Sequence, residues 1–239
     1  MAHNLCLFEL KGKKMIIGGI VRNSFVDYPK KIACVIFTRG CNFKCWYCHN
    51  SHLLGGGENK IDEETLFKFL NERKNFLDGV VISGGEPTLQ NDLIDFIKKV
   101  KKIGYSVKLD TNGTKSDVLK QILDENLVDY VAMDIKAPLE DYEKIVCSKP
   151  LIDEVKKSIK LLLSSNIDYE FRTTFSPDLT VDDIEKICKN IVGAKKYCIQ
   201  KYRQVDYNEK NMPLKNKEEH ILAEKVARKY INDVELRGL

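Results

Sequence analysis

The chain has 239 residues, 43% of them hydrophobic and 31% charged, and a formal net charge of +4. That length suits one large domain with a well-buried core, and the mild positive charge, spread as lysines among Asp and Glu, lacks the localised stripe of a nucleic-acid footprint. The first 15 residues carry only a brief apolar patch, Leu5 to Leu10, broken by Glu9. This is too short for a signal peptide or for the about 20 apolar residues of a membrane span, so no membrane partner and a cytoplasmic location are expected.

The chain reads as a single domain: 1–31 as an N-terminal extension with a short strand over 15–21, 32–202 as the core, and 203–239 as a C-terminal segment. Asp27-Tyr28-Pro29 is a turn into a strand over 32–38. After a cysteine-rich loop, Gly55-Gly56-Gly57 is a flexible connection, and Asp62 caps a helix through Phe76 with Glu63 and Glu64 in its first turn. A strand over 79–83 is apolar throughout, as in a sheet buried on both faces. Helices are expected over 91–102, 115–125, 151–164, 181–191 and 217–231, and strands over 105–110, 130–135, 168–174 and 196–202. Thr180 caps the helix at 181.

Strand and helix alternate six times from Ile32 onward. Such alternation implies parallel strands with right-handed crossovers, in a doubly wound sheet or a barrel. Six units are too few for the eight of a complete barrel. Chemistry-bearing residues follow nearly every strand, which favours an open, partial (β/α)6 TIM-like barrel with its ligands at the carboxyl ends of the strands.

The first of those strand ends carries Cys41, Cys45 and Cys48 in C-x3-C-x2-C spacing. Three thiolates on one loop can hold three corners of a metal centre, and soft sulfur selects iron-sulfur clusters, zinc or copper(I). His49 or His52 would complete a closed zinc site, whereas an iron-sulfur cluster held by three cysteines leaves one iron open to a small molecule. The remaining cysteines, Cys6, Cys34, Cys147, Cys188 and Cys198, are scattered and read as small buried hydrophobes rather than a disulfide framework. The second strand end carries Gly84-Gly85-Glu86-Pro87. The third carries Asp110-Thr111-Asn112-Gly113, the fourth Asp134 and Lys136, the fifth Arg172 and Thr174, and the sixth Gln200, Tyr202 and Arg203. Two carboxylates, a Lys and an Arg on one rim beside three cysteines suit a small zwitterion with ribose hydroxyls.

Cys41-x3-Cys45-x-Tyr47-Cys48 followed by Gly84-Gly85-Glu86-Pro87 resembles the radical S-adenosylmethionine (SAM) superfamily. Phe25-Val26-Asp27-Tyr28-Pro29, Cys48-His49-Asn50 and Asp110-Thr111-Asn112-Gly113 are most similar to activating enzymes of glycyl-radical enzymes, above all that of anaerobic ribonucleoside-triphosphate reductase. The resemblance implies a 4Fe-4S cluster on Cys41, Cys45 and Cys48, with SAM chelating the open iron. It implies Tyr47 beside adenine with backbone atoms of Cys48 and His49, Gly84, Gly85 and Glu86 at the methionine ammonium, Lys136 at its carboxylate, and Asp134 near the ribose or a cation. Arg172 and Gln200 carry over as further SAM contacts. The pyruvate formate-lyase activator binds a monovalent cation through residues matching Asp110, Thr111 and Asp134. No ferredoxin-like insert is present, so one cluster is implied.

The implied reaction takes an electron from an external donor, cleaves SAM to methionine and a 5'-deoxyadenosyl radical, and abstracts hydrogen from a glycine of a partner enzyme. No residue of the chain acts as acid or base. Two other readings are a small-molecule enzyme of the same superfamily, similar to 7-carboxy-7-deazaguanine synthase, and a non-catalytic iron-sulfur or zinc protein.

Overall fold

A computed structural model describes residues 14–55, 58, 61–204 and 213–239. Cys6, the first 13 residues and Gly56-Gly57 of the glycine run lie outside the described residues. The described chain forms an eight-stranded sheet in the order β1 (Ile17–Ser24), β2 (Ala33–Thr38), β3 (Gly79–Gly84), β4 (Ser106–Thr111), β5 (Tyr130–Asp134), β6 (Asp168–Phe175), β7 (Tyr197–Lys201) and β8 (Val234–Arg237). β1 pairs antiparallel with β2, and every later pairing is parallel. Each strand neighbours the next in sequence, so the crossovers all run the same way round the sheet.

The connecting helices α1 (Glu63–Glu72), α2 (Leu93–Ile103), α3 (Ser116–Asp124), α5 (Ile152–Leu163), α6 (Val181–Asn190) and α7 (Lys217–Ala227) follow the expected apolar spacing. A short helix, α4 (Tyr142–Val146), precedes α5. Their starts and stops have local causes. Asp62 accepts a hydrogen bond from the Thr65 N–H at the head of α1, Thr180 and Asp183 form a capping box on α6, and Gly104 ends α2 in the left-handed conformation.

The helices distinguish the two architectures that alternation leaves open. Leu66 and Leu70 of α1, Leu93, Phe96 and Ile97 of α2, Leu119 and Ile122 of α3 and Ile184 of α6 join one buried cluster with Ile36, Ile82, Leu109, Met133 and Phe171 of the strands. The opposite sheet face packs Ala33, Val35, Val81, Tyr130 and Ala132 around Tyr28, and no helix among the described residues joins that cluster. A doubly wound sheet carries helices on both faces. Helices on one face alone, with β1 and β8 at the two edges, give a curved sheet consistent with the partial barrel. Because β2, β3 and β5 are buried on both faces, they read as near-continuous apolar runs.

Two differences from expectation are informative. The sheet runs past residue 202: after α7 the chain adds β8, parallel to β7. This strand has only the sequence VELR, too short and too charged to announce itself, and its Arg237 is drawn in by buried Glu170. β1 lies over Ile17–Ser24 rather than 15–21, because an edge strand tolerates exposed Arg22 and Asn23. Among the described residues no helix is long and apolar enough to cross a membrane.

Candidate active site

The cysteine loop leaves the end of β2 and is held at several points by main-chain bonds. Arg39 N–H donates to Ile16 O at 2.9 Å, Gly40 N–H to Leu53 O at 2.7 Å, Lys44 N–H to Val146 O at 2.9 Å and Cys48 N–H to Cys45 O at 3.0 Å. Phe43 is buried edge-on to Tyr142 of α4. The loop is sewn to the end of β3 as well. Gly85 N–H donates to Thr38 O and Glu86 N–H to Gly40 O. A Cβ on Gly85 would lie 2.1 Å from Gly40 O, and one on Gly84, whose φ is +115°, 2.3 Å from Thr38 N. The two glycines therefore let two strand ends meet backbone to backbone.

Glu86 is buried and turned along the rim. Its Oε1 accepts from Thr88 N–H and Oγ1 and from Thr111 Oγ1 at 2.7 Å, and its Oε2 from Asn112 N–H at 2.6 Å. Oε2, with a single donor among the described residues, retains capacity for another. Burial raises the Glu86 carboxyl, against the opposing effect of these donors.

Charged residues sit side by side on the concave face because strand register puts them there. Asp134 of β5 is paired with Arg172 of β6, and Asp110 of β4 with Ala132 of β5. Arg172 Nε donates to Asp134 Oδ1 at 2.8 Å and its Nη1 to Asp110 Oδ2 at 3.3 Å. The small side chain of Ala132 stands between them. Lys136 Nζ donates to Asp134 Oδ2 at 2.9 Å, Lys108 Nζ to Asp110 Oδ1, and Ser83 Oγ to Asp110 Oδ2 at 3.1 Å. Burial opposes ionisation of both carboxyls, but Arg172 with Lys108 or Lys136 outweighs it and holds both below the ordinary range. The same pairing outweighs burial for Lys136 and Arg172, which are raised. All four carboxylate oxygens thus already have donors from the chain.

One cavity of about 500 Å³ receives these strand ends. Cys41, Cys45, Tyr47, Cys48, His49, Gly84, Gly85, Glu86, Asp110, Thr111, Asp134, Lys136, Arg172 and Gln200 all line it, so the structure brings together the residues that the resemblance implies, while Tyr202 of the sixth strand end does not line it. Asp27, Phe37, Phe43, Asn50, Leu54 and Ser83 complete the wall beside Asn112, Thr174 and Arg203. Lys108 was not legible as a site residue: in SVKLDT it reads as an outward lysine, yet it is buried. His52 does not line the cavity.

The thiols suit a cluster. Burial pushes Cys41 up to about 12 and Cys45 to about 11, and a bound metal centre is what converts such thiols to thiolates. Phe43 N–H already points at Cys41 Sγ at 3.4 Å and Asn112 Nδ2 at 3.9 Å, contacts that support a thiolate ligand. Among the described residues no three His, Cys, Asp or Glu side chains converge as ligands of one metal ion. In a cubane cluster each thiolate binds its own iron, so such a centre does not need three ligands on one ion. Tyr47 is buried, its hydroxyl without a hydrogen-bond partner among the described residues and its ring edge-on to Trp46 and Tyr202.

Residues 35–191 match the family described as the radical SAM superfamily. The chain belongs to that superfamily. The radical SAM family implies a 4Fe-4S cluster and S-adenosylmethionine as its cofactors, and the cavity residues fit both. A Methanocaldococcus jannaschii protein provisionally named a glycyl-radical enzyme activating enzyme is 39% identical over 235 residues, which cover 95% of this chain and 97% of that protein. The pyruvate formate-lyase-activating enzyme of Clostridium pasteurianum is 31% identical over 205 residues, covering 80% and 84%. Among solved structures, Streptococcus suis SuiB bound to S-adenosylmethionine superposes with a TM-score of 0.68 at 15% identity, over 85% of this chain and 50% of that longer one. QueE from Escherichia coli gives 0.52 at 15% identity, over 95% and 92%. At these identities the structural likeness shows the radical SAM fold alone.

Proposed function

We propose that this radical SAM enzyme is an activating enzyme that installs a glycyl radical on a partner protein, with anaerobic ribonucleoside-triphosphate reductase as the partner. The kind of enzyme is supported by relatives of matching length, named for glycyl-radical activation. The observation that carries the chemistry is the single cavity shared by three thiols and the charged strand ends. The reductase is the finer step, and it rests on the Phe25–Pro29, Cys48–Asn50 and Asp110–Gly113 stretches.

When bound, the cluster and SAM supply a 5'-deoxyadenosyl radical, with the electron coming from an external low-potential donor. The chain's own residues bind and orient. Cys41, Cys45 and Cys48 hold the cluster. Tyr47, Cys48 and His49 form the adenine side, and Glu86 Oε2 with the Gly84-Gly85 backbone meets the methionine ammonium. Lys136 meets the carboxylate, held by Asp134 from behind, and Gln200 closes the far wall. Buried Phe43 and Tyr47 keep water from one side of the cavity. β1 and β8 are the two end strands of the described sheet, which does not close on itself, and an open barrel of this kind suits a protein substrate, since a loop can enter from the side.

The test is electron paramagnetic resonance on the anaerobically reconstituted, reduced protein mixed with SAM and the reductase from the same source. A glycyl-radical doublet that requires both proteins and SAM is expected. SAM cleaved to 5'-deoxyadenosine with no doublet would reject the reductase and redirect the search to another protein or to a small molecule.

A further inference from the structure

The resemblance places a monovalent cation between residues matching Asp110, Thr111 and Asp134, and the residues present do not fit one. Two carboxylates face three cationic side chains: Lys108 on Asp110, Lys136 on Asp134, and Arg172 on both. Thr111 is also engaged, its hydroxyl donating to Glu86 and accepting from Gly113 N–H. A further cation would have to displace an existing donor from every carboxylate oxygen it used.

The geometry points to Arg172 as a built-in replacement for that cation: its guanidinium ties the ends of β4 and β5 together at the SAM site, so that SAM binding by this protein is independent of alkali ions. Arginine suits the task because its planar fork presents Nε to one carboxylate and Nη1 to the other. Ala132, in register with Asp110 and on the same face, leaves the path open. The inference rests on SAM binding by the superfamily and not on which partner is activated. Arg172 acts here as a positioning residue.

The test compares SAM binding to the cluster-loaded protein, by equilibrium dialysis, in potassium chloride and in tetramethylammonium chloride at equal ionic strength. The wild-type Kd should agree within about twofold between the salts. Arg172→Gln should bind about tenfold more weakly in tetramethylammonium and recover most of the loss in potassium or sodium. Melting of the same loaded proteins without SAM gives a second reading, in which potassium raises the Tm of Arg172→Gln but not of the wild type. A wild-type Kd that tightens severalfold with potassium would overturn the proposal. So would an Arg172→Gln protein equally weak in every salt. If Arg172→Gln does not fold, the wild-type salt comparison decides alone.

Discussion

At the scale of single residues, the site depends on charges that are buried together rather than exposed apart. Asp134 is the clearest case, because both of its oxygens are used, one by Arg172 and one by Lys136. Asp134→Asn would leave two buried cations short of a partner, and should destabilise the protein by about 2–4 kcal/mol at neutral pH. The sign of the pH dependence follows from the depressed carboxyl. Its contribution is fully present above the unfolded aspartate value of about 3.9 and is lost as pH falls through the lower folded value. Urea unfolding of the two proteins should therefore converge as pH drops below about 4. A gap that stays constant down to the acid transition would show that the pairing is not what Asp134 contributes.

At the scale of elements, the joint between β2 and β3 carries the site. Gly85→Ala places a methyl against Gly40 O, and the nearest atoms are backbone that cannot step aside. The expected cost is about 3 kcal/mol, seen as a Tm lower by about 6–12 °C for a chain of this size, with less iron retained after reconstitution. An unchanged Tm would mean that the strand ends separate easily. Much of this level was legible in the sequence. Apolar runs such as Val80–Ile82 and the caps Asp62 and Thr180 announce their elements locally. α4 and β8 were not, because five and four residues are too few for periodicity to speak. The candidate site was legible to the extent that it is built from unusual residue types at strand ends. What the sequence hides is pairing: nothing local in FRTTF says that Arg172 spans two aspartates, or in SVKLDT that Lys108 points inward.

At the scale of the whole molecule, the last strand completes the charge balance of the concave face. Arg237 of β8 grips Glu170 of β6 with Nη1 and Nη2 at 3.1 and 3.0 Å, while Glu170 is buried and also receives the Tyr130 hydroxyl at 3.3 Å. Arg237→Gln strands that carboxylate, and should cost about 3 kcal/mol, the lower end for a buried pair because Arg237 is partly exposed. Glu170→Gln added to it should recover at least half of the loss in urea unfolding. Additive losses in the double variant would show that β8 is held by its backbone alone.

The main-chain ties along the cysteine loop have a thermodynamic consequence. A zinc finger meets the ordering cost of its ligands when the metal arrives, so its fold and its metal stand or fall together. Here the loop is already fixed to residues as distant in sequence as Ile16 and Val146. Part of the entropy of arranging the thiols is therefore met by contacts with the barrel itself, so a change that shifts the backbone at Ile16 or Val146, far from the cysteines in sequence, should weaken retention of the cluster.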